Sequence, residues 1–351
     1  MRAQAIFGAA TLAFLAITAQ ASPRGSAPVV PAKEWLQAKT PEGLGWSSEK
    51  LQRAQEYSKS IGSDAVMIVQ DGTIVTHWGD IAKKQNVHSI RKSFLSALYG
   101  IAVRDKRISL HATLENLSID DVDPHLSRDE KQAQVIDLLK ARSGVFHAAL
   151  YETADMKNKP ARGSHLHGTF WLYSNWDFNA LGTIYEHATN SSIFTQFRQR
   201  IAVPLGMQDF VQDDDTGYVS GVESMHAAYP FDVSTRDMAR LGLLYLNGGR
   251  WGKKQIIPKP WITASTHPYS DGGEKGGYGY LWWCAIDGRL FPNTTIPNGF
   301  AAWGTGGHYI LVMPDIRTVV VHRVDDQNGP RVTDAQFGTL VQLIREAAPR
   351  N

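Results

Sequence analysis

His88-Ser89-Ile90-Arg91-Lys92-Ser93-Phe94-Leu95-Ser96-Ala97-Leu98-Tyr99-Gly100 is the stretch on which the reading of this chain turns. A serine and, three residues later, a lysine open a run that reads as a buried helix. Three residues is just under one helical turn, so both side chains leave the same face. The residues that follow, Phe94, Leu95, Ala97, Leu98, Ile101, Ala102 and Val103, leave no polar face, which predicts a helix buried all round. A lysine at its start is desolvated, loses part of its preference for the charged form, and as a neutral amine can take the proton of the serine hydroxyl. The bland alternative is a capping serine beside a snorkelling lysine. The spacing alone does not decide, because Ser47…Lys50 repeats it at the head of a polar, amphipathic helix, where Ser47 reads as a cap and Lys50 as solvated.

Working outward, Ala65–Gln70 and Thr73–Trp78 are β-rich runs joined by Asp71-Gly72, a hairpin signature. Before them, Ser47 opens a helix to about Ser60, and residues 22–45 read as an extended leader. Beyond the Ser89 helix the pattern changes. From about 107 to 232 short helices (Val135–Ala141, Asn179–Thr189) alternate with polar loops, among them Asp155–Gly168. Ser234-Thr235-Arg236-Asp237 caps an apolar helix through Leu246, and Gly248-Gly249 ends it. Tyr309–Met313 and Thr318–Arg323 are two further strands around Pro314-Asp315, and a final amphipathic helix covers roughly Thr333–Ala347. The expected class is α+β: an antiparallel sheet flanked by helices, from residues 22–106 and 233–351, plus a mostly helical lobe from 107–232.

Composition bounds the function. The 351 residues carry a formal net charge of +2 and no long basic run, so there is no footprint for nucleic acid. Residues 1–21 have a positive start, an apolar core from Ile6 to Ile17 and the small-x-small form Ala19-Gln20-Ala21. They read as a signal peptide, with a mature start at Ser22 and a periplasmic or secreted destination. No other apolar run is long enough to predict a membrane span. Cys284 is the only cysteine, so no disulfide forms within the chain. The ten Trp and 12 Tyr fit both a large core and an aromatic-lined cleft.

Two more segments carry candidate chemistry. In Leu172-Tyr173-Ser174-Asn175-Trp176 a phenol that can relay protons stands two residues before an amide that can hold the lysine or a carbonyl. In Ala301-Ala302-Trp303-Gly304-Thr305-Gly306-Gly307-His308 glycines permit close backbone approach before a strand, where a backbone N–H can form half of an oxyanion hole with that of Ser89. This loop is no phosphate cradle, since it lacks the Walker lysine and precedes a strand. There is no Gly-x-Ser-x-Gly elbow and no His-Glu-x-x-His, and His165-x-His167 sits in a polar loop without a carboxylate partner. Nothing calls for a metal or cofactor.

In order, Ser89-x-x-Lys92, Tyr173-x-Asn175 and the 302–308 segment resemble the serine β-lactamase and penicillin-binding-protein superfamily. The likeness is to its class C-like branch, with D-Ala-D-Ala carboxypeptidases, esterases and 6-aminohexanoate-dimer hydrolases. Ser89-Ile90-Arg91-Lys92-Ser93-Phe94 and Tyr173-Ser174-Asn175-Trp176-Asp177-Phe178-Asn179 look most like the last of these. The resemblance spans nearly all of the mature chain. It implies Ser89 as acylated nucleophile, Lys92 as its base, Tyr173 as second proton-transfer group, and Asn175 in contact with Lys92 and substrate. It also implies the Ser89 and Thr305 N–H groups as the oxyanion hole, and a pocket shaped by 148–168 and Tyr278–Trp283. One departure matters: the cation of the third motif is missing, because its positions read Ala302-Trp303-Gly304. His308 and Arg323 are the candidates to replace it, and Trp303 and Gly304 border the substrate. The expected activity is hydrolysis of small esters or linear amides through an acyl-enzyme. The alternatives are a D-Ala-D-Ala carboxypeptidase or β-lactamase, and a non-catalytic binder of cell-wall fragments on the same fold.

Overall fold

The computed structural model describes residues 29–325 and 328–349. The signal-peptide reading of 1–21 lies outside them. One sheet of nine strands organises the chain: β1 (Leu36–Gln37), β2 (Ser63–Gln70), β3 (Thr73–Trp78), β4 (Ser270–Asp271), β5 (Gly277–Tyr278), β6 (Trp283–Cys284), β7 (Phe300–Gly304), β8 (His308–Met313) and β9 (Thr318–Val324). Their order is β1-β3-β2-β9-β8-β7-β6-β5-β4. Every pair is antiparallel except the edge pair β1–β3, which is parallel. The expected antiparallel α+β class holds. The hairpin at Asp71-Gly72 forms as its sequence dictates, both residues taking the positive φ such a turn needs (46° and 84°).

Five longer helices accompany it: α1 (Ser48–Ser60), α2 (Ile90–Arg104), α4 (Thr235–Leu246) and α5 (Asp334–Ala347) pack on the sheet, and α3 (Asn175–Thr189) packs on α2. Successive side chains of β8 show why the sheet is covered on both faces. Tyr309 stacks on Phe337 of α5 with ring centroids 4.1 Å apart. On the other face, Ile310 and Val319 press on α4 at Gly242, where any added Cβ would come within 2.6 Å of Val319 and 2.9 Å of Ile310. Strands buried on both faces read as continuous apolar runs, as Val319–Val321 does. The caps follow the sequence: Ser47 accepts from the Lys50 N–H, Ser234 from the Asp237 N–H, and Thr333 with Gln336 forms a capping box.

Two expectations shift. The helix expected from Asn179 begins at Asn175, one turn earlier, because the Ser174 hydroxyl accepts from the Trp176 N–H and caps it there. The segment expected as a loop before a strand is itself strand to Gly304, so the turn shrinks to Thr305-Gly306-Gly307. The helix α2 is tied to the 278–283 segment by two buried bonds, Ser93 Oγ to the Leu281 carbonyl and Ser96 Oγ to that of Tyr280, each 2.7 Å. These bonds hold the head of α2 against the sheet.

Candidate active site

Ser89 sits immediately before the first residue of α2 and makes no capping bond with its side chain. The chain enters through His88, held at φ 48° by its N–H bond to Asn86 Oδ1 (2.8 Å). A left-handed conformation at a non-glycine residue costs energy and persists where surroundings enforce it, a pattern concentrated at functional sites. One turn on, Lys92 is 1% exposed, and its Nζ lies 2.9 Å from Ser89 Oγ and 2.6 Å from the Tyr173 hydroxyl. The ammonium position also lies over the Tyr173 and Phe178 rings, 4.1 and 4.5 Å from their centroids. Burial, followed by the neighbouring Arg91 charge, holds the Lys92 amine well below the usual lysine range. Burial pushes the Tyr173 phenol up, to about 12. Around neutrality the pair is therefore an amine that can accept a proton and a phenol that keeps one. Ser47 and Lys50, with the same spacing, instead cap a helix and bond the Glu346 carbonyl at the surface.

Ser89 and Tyr173 open into a cavity of about 500 Å³ that also takes in Trp303, Gly304 and Thr305. One wall is aromatic. Trp283 stacks on Tyr173 at 5.4 Å, and Trp171 and Trp303 pack on Trp283 at 6.0 and 5.2 Å. Other tryptophans, Trp46, Trp176 and Trp282, lie in the core, so the aromatic surplus serves both purposes. Thr153 and Met156, from the 148–168 loop, face the same space. The Thr305-Gly306-Gly307 turn is clamped from behind. The Val332 N–H donates to the Gly306 carbonyl (2.9 Å) and His322 Nδ1 to that of Gly307 (2.6 Å). Gly304 tolerates no side chain, since a Cβ would meet the Val87 carbonyl oxygen at 2.7 Å. Among the described residues, no turn or loop carbonyl accepts from the backbone N–H groups of Ser89 and Thr305.

Three expected site residues stand elsewhere. Asn175 is not among the hydrogen-bond partners of Lys92, which are Ser89 and Tyr173: its amide donates to the carbonyls of Leu150 and Tyr151 at 3.4 and 2.5 Å, pinning that loop to α3. As the first residue of α3 its side chain points where the helix start directs it. His308 is buried opposite Gly304 in the sheet and does not line the cavity. Burial, with the Arg323 charge near it, holds its imidazole far below the usual range, so it supplies no cation. Arg323 is also buried, its guanidinium donating to the carbonyls of Val233 and Asn86. The cations that do line the cavity are Lys275 and Arg331. Lys275 lies 5.2 Å over the Trp303 ring and 3.7 Å from Asp334, while Arg331 is exposed. No local pattern marks either residue. Their place follows from the turns after β4 and before α5. His322 is likewise unannounced: with Nδ1 donating to Gly307, its Nε2 accepts from Ser63 Oγ at 2.7 Å, and burial lowers its pKa to about 4.

A family model described as beta-lactamase matches residues 49–342. Among curated proteins none matches the chain. Among solved structures, a putative 6-aminohexanoate-dimer hydrolase from Bacillus anthracis superposes with a TM-score of 0.63 at 16% identity, covering 92% of this chain and 88% of that one. A class C beta-lactamase gives 0.62 at 18%, over 86% and 95%. An octameric penicillin-binding protein homologue from Pyrococcus abyssi gives 0.60 at 17%, over 86% and 79%. At these identities the structural likeness speaks for the fold.

Proposed function

The chain belongs to the beta-lactamase family, a superfamily of serine hydrolases, and from that premise we propose that it cleaves small esters or linear amides through an acyl-enzyme on Ser89. The observation that carries this reading is the placement of one buried amine within hydrogen-bond reach of both the Ser89 and Tyr173 hydroxyls, at the wall of a cavity. The neutral Lys92 amine accepts the Ser89 proton as Oγ attacks the substrate carbonyl carbon. The negative charge that develops on the carbonyl oxygen is met by the Ser89 and Thr305 N–H groups. Tyr173, a phenol at neutral pH, gives its proton to the departing alcohol or amine and recovers one through Lys92, with which it shares a 2.6 Å hydrogen bond. The same pair then draws a proton from water to release the acid. Trp171, Trp283 and Trp303 offer an apolar wall to the acyl or leaving group.

A second reading is favoured by Lys275 and Arg331 at the cavity. They would receive an anionic group, as on a β-lactam or a peptide ending in a free carboxylate, in place of the missing motif cation. Purified protein assayed against short-chain chromogenic esters, a linear amide dimer and nitrocefin separates the two. Turnover of the first two classes without stable labelling by a fluorescent penicillin supports the main reading, and stable penicillin labelling of Ser89 favours the second. Turnover of none of them, with no penicillin labelling of Ser89, overturns both. Residues 1–21 support export with cleavage before Ser22. Among the described residues, no helix is long and apolar enough to cross a membrane. N-terminal sequencing of protein collected outside the cytoplasm tests the cleavage, and a chain still starting at Met1 refutes it.

A further inference from the structure

Arg91, between Ser89 and Lys92, is 1% exposed, and no carboxylate among the described residues forms an ion pair with it. Its guanidinium lies 4.6 Å over the Tyr229 ring and 5.5 Å over that of Tyr151, and one terminal nitrogen donates to Asn179 Oδ1 at 3.3 Å. Its Nε and its other terminal nitrogen find no hydrogen-bond partner. A buried charge without a counter-ion is costly, and buried arginines ordinarily sit in ion pairs or saturated hydrogen-bond shells. Arg240 shows the ordinary solution in the same protein, with three carbonyls and Gln208 accepting from it and Asp237 4.0 Å away. Packing alone would be served by methionine at position 91. The two tyrosine faces recover part of the cost, through attraction of a cation to a ring, and they fix the charge in place instead of neutralising it.

What stands beside that charge is the candidate base. The side chains of Arg91 and Lys92 leave α2 about a quarter turn apart in the same water-free interior, and a fixed positive charge there disfavours a second one. Among the described residues the hydrogen-bond partners of Lys92 are hydroxyls, those of Ser89 and Tyr173, and no carboxylate pairs with it. The ionisable groups packed on the pair from other elements are the phenols of Tyr173, over which Lys92 lies, and of Tyr229 and Tyr151, over which Arg91 lies; behind them Tyr278 packs on Tyr173, and the carboxyl of Asp177 on α3 acts on Tyr278. Burial lifts that carboxyl to about 8, and it is bonded to Ser143 Oγ at 2.5 Å. At neutral pH these neighbours are largely uncharged, which leaves Arg91 as the standing charge.

We propose that Arg91 acts in the reaction through Lys92: its guanidinium, held between two tyrosine faces without a counter-ion, is the repelling charge that keeps the Lys92 amine ready to take the Ser89 proton. Arg91 is thus a positioning residue that touches neither substrate nor Ser89 Oγ. The proposal rests on the reading of Ser89, Lys92 and Tyr173 as the reacting groups.

The test measures the rate of Ser89 labelling by a fluorophosphonate, and kcat/KM for a neutral ester, from pH 5 to pH 10 in wild type, Arg91→Met, Arg91→Gln and Arg91→Lys. Both quantities fall on the acid side as Lys92 takes up a proton. Removing the neighbouring charge makes that uptake easier, so the acid limb of Arg91→Met and Arg91→Gln moves to higher pH, by about one unit for a unit charge roughly 12 Å away or nearer at an effective dielectric constant of about 20. On that limb their rates fall up to about tenfold below wild type and recover toward the wild-type plateau at high pH, while Arg91→Lys keeps the wild-type limb. A loss of equal size at every pH, or an unshifted limb in folded Arg91→Met and Arg91→Gln, overturns the proposal. Should methionine leave the protein unfolded, glutamine and lysine decide alone. Failure of the wild type to label at Ser89 refutes the underlying assignment instead, so the two failures are distinguishable.

Discussion

Tyr173→Phe removes one oxygen atom and, with it, the group assigned to protonate the leaving group. The phenol is buried, bonded to Lys92 at 2.6 Å, and raised to about 12, so at neutral pH it holds its proton and gives it up only to a stronger base. An alkoxide or an amide nitrogen leaving a tetrahedral intermediate is such a base; p-nitrophenolate is not and departs unaided. The loss should therefore depend on the substrate. For an alkyl ester or a linear amide, removing a positioned general acid should lower kcat/KM about 10²–10⁴-fold, or about 2.7–5.4 kcal/mol of transition-state stabilisation. For the p-nitrophenyl ester of the same acid the loss should be under about tenfold, reflecting only the Lys92 amine left short of a partner. The assay is kcat/KM for such a matched pair, which reports acylation in both cases, alongside thermal unfolding. One buried polar group without its partner costs about 1–3 kcal/mol, so the variant should fold with a somewhat lower Tm. Equal losses on both substrates would refute the reasoning and reduce Tyr173 to a prop for Lys92.

Further expectations concern the same pocket. Lys92→Met should abolish turnover yet raise stability by about 0.5–2 kcal/mol near neutral pH, since it removes a buried amine. Because the folded pKa of Lys92 is lowered below its unfolded value, the unfolded chain binds the extra proton between the two values. Wild-type stability therefore rises with pH through that window, and the gap to Lys92→Met, read by denaturant titration, should narrow toward pH 10. Gly304→Ala places a Cβ 2.7 Å from the Val87 carbonyl oxygen and 3.1 Å from His308 Cβ. It should cost about 1–3 kcal/mol by overpacking and lower kcat by displacing Thr305, as thermal unfolding and steady-state kinetics would show. Arg331→Met should lower kcat/KM about 2- to 5-fold for an ester bearing a terminal carboxylate and leave the neutral analogue unchanged, the size expected for an exposed charge.

How much of this could be read from the chain follows the range of the interactions. Caps, the Asp71-Gly72 turn and the buried α2 rest on contacts a few residues apart, and there sequence and structure agree. Ser89 and Lys92 meet because both lie on one helix turn, while Tyr173 comes to them from 81 residues away. Its part was legible only from motif order. In sequence β7 reads as a loop because its glycine and alanines carry little strand propensity, and its place between β8 and β6 overrides that. The two-residue strands β1, β4, β5 and β6 are too short for any periodicity. Side-chain direction was the other gap. Nothing local says that Asn175 turns to the 150–151 carbonyls, that Arg323 staples residues 86 and 233, or that Lys275 and Arg331 reach the cavity. Arg91 was part of the motif, but its isolation from any carboxylate appears only once α3 and Tyr229 are packed against it.

The central claim is that Ser89 Oγ forms the covalent intermediate. Intact-mass and peptide analysis of the protein treated with a fluorophosphonate, and of protein quenched during turnover of a slow ester, tests it most directly. One adduct per chain is expected, on Ser89, absent from Ser89→Ala together with all turnover. An adduct on another residue, or ester turnover that survives in Ser89→Ala, would contradict it.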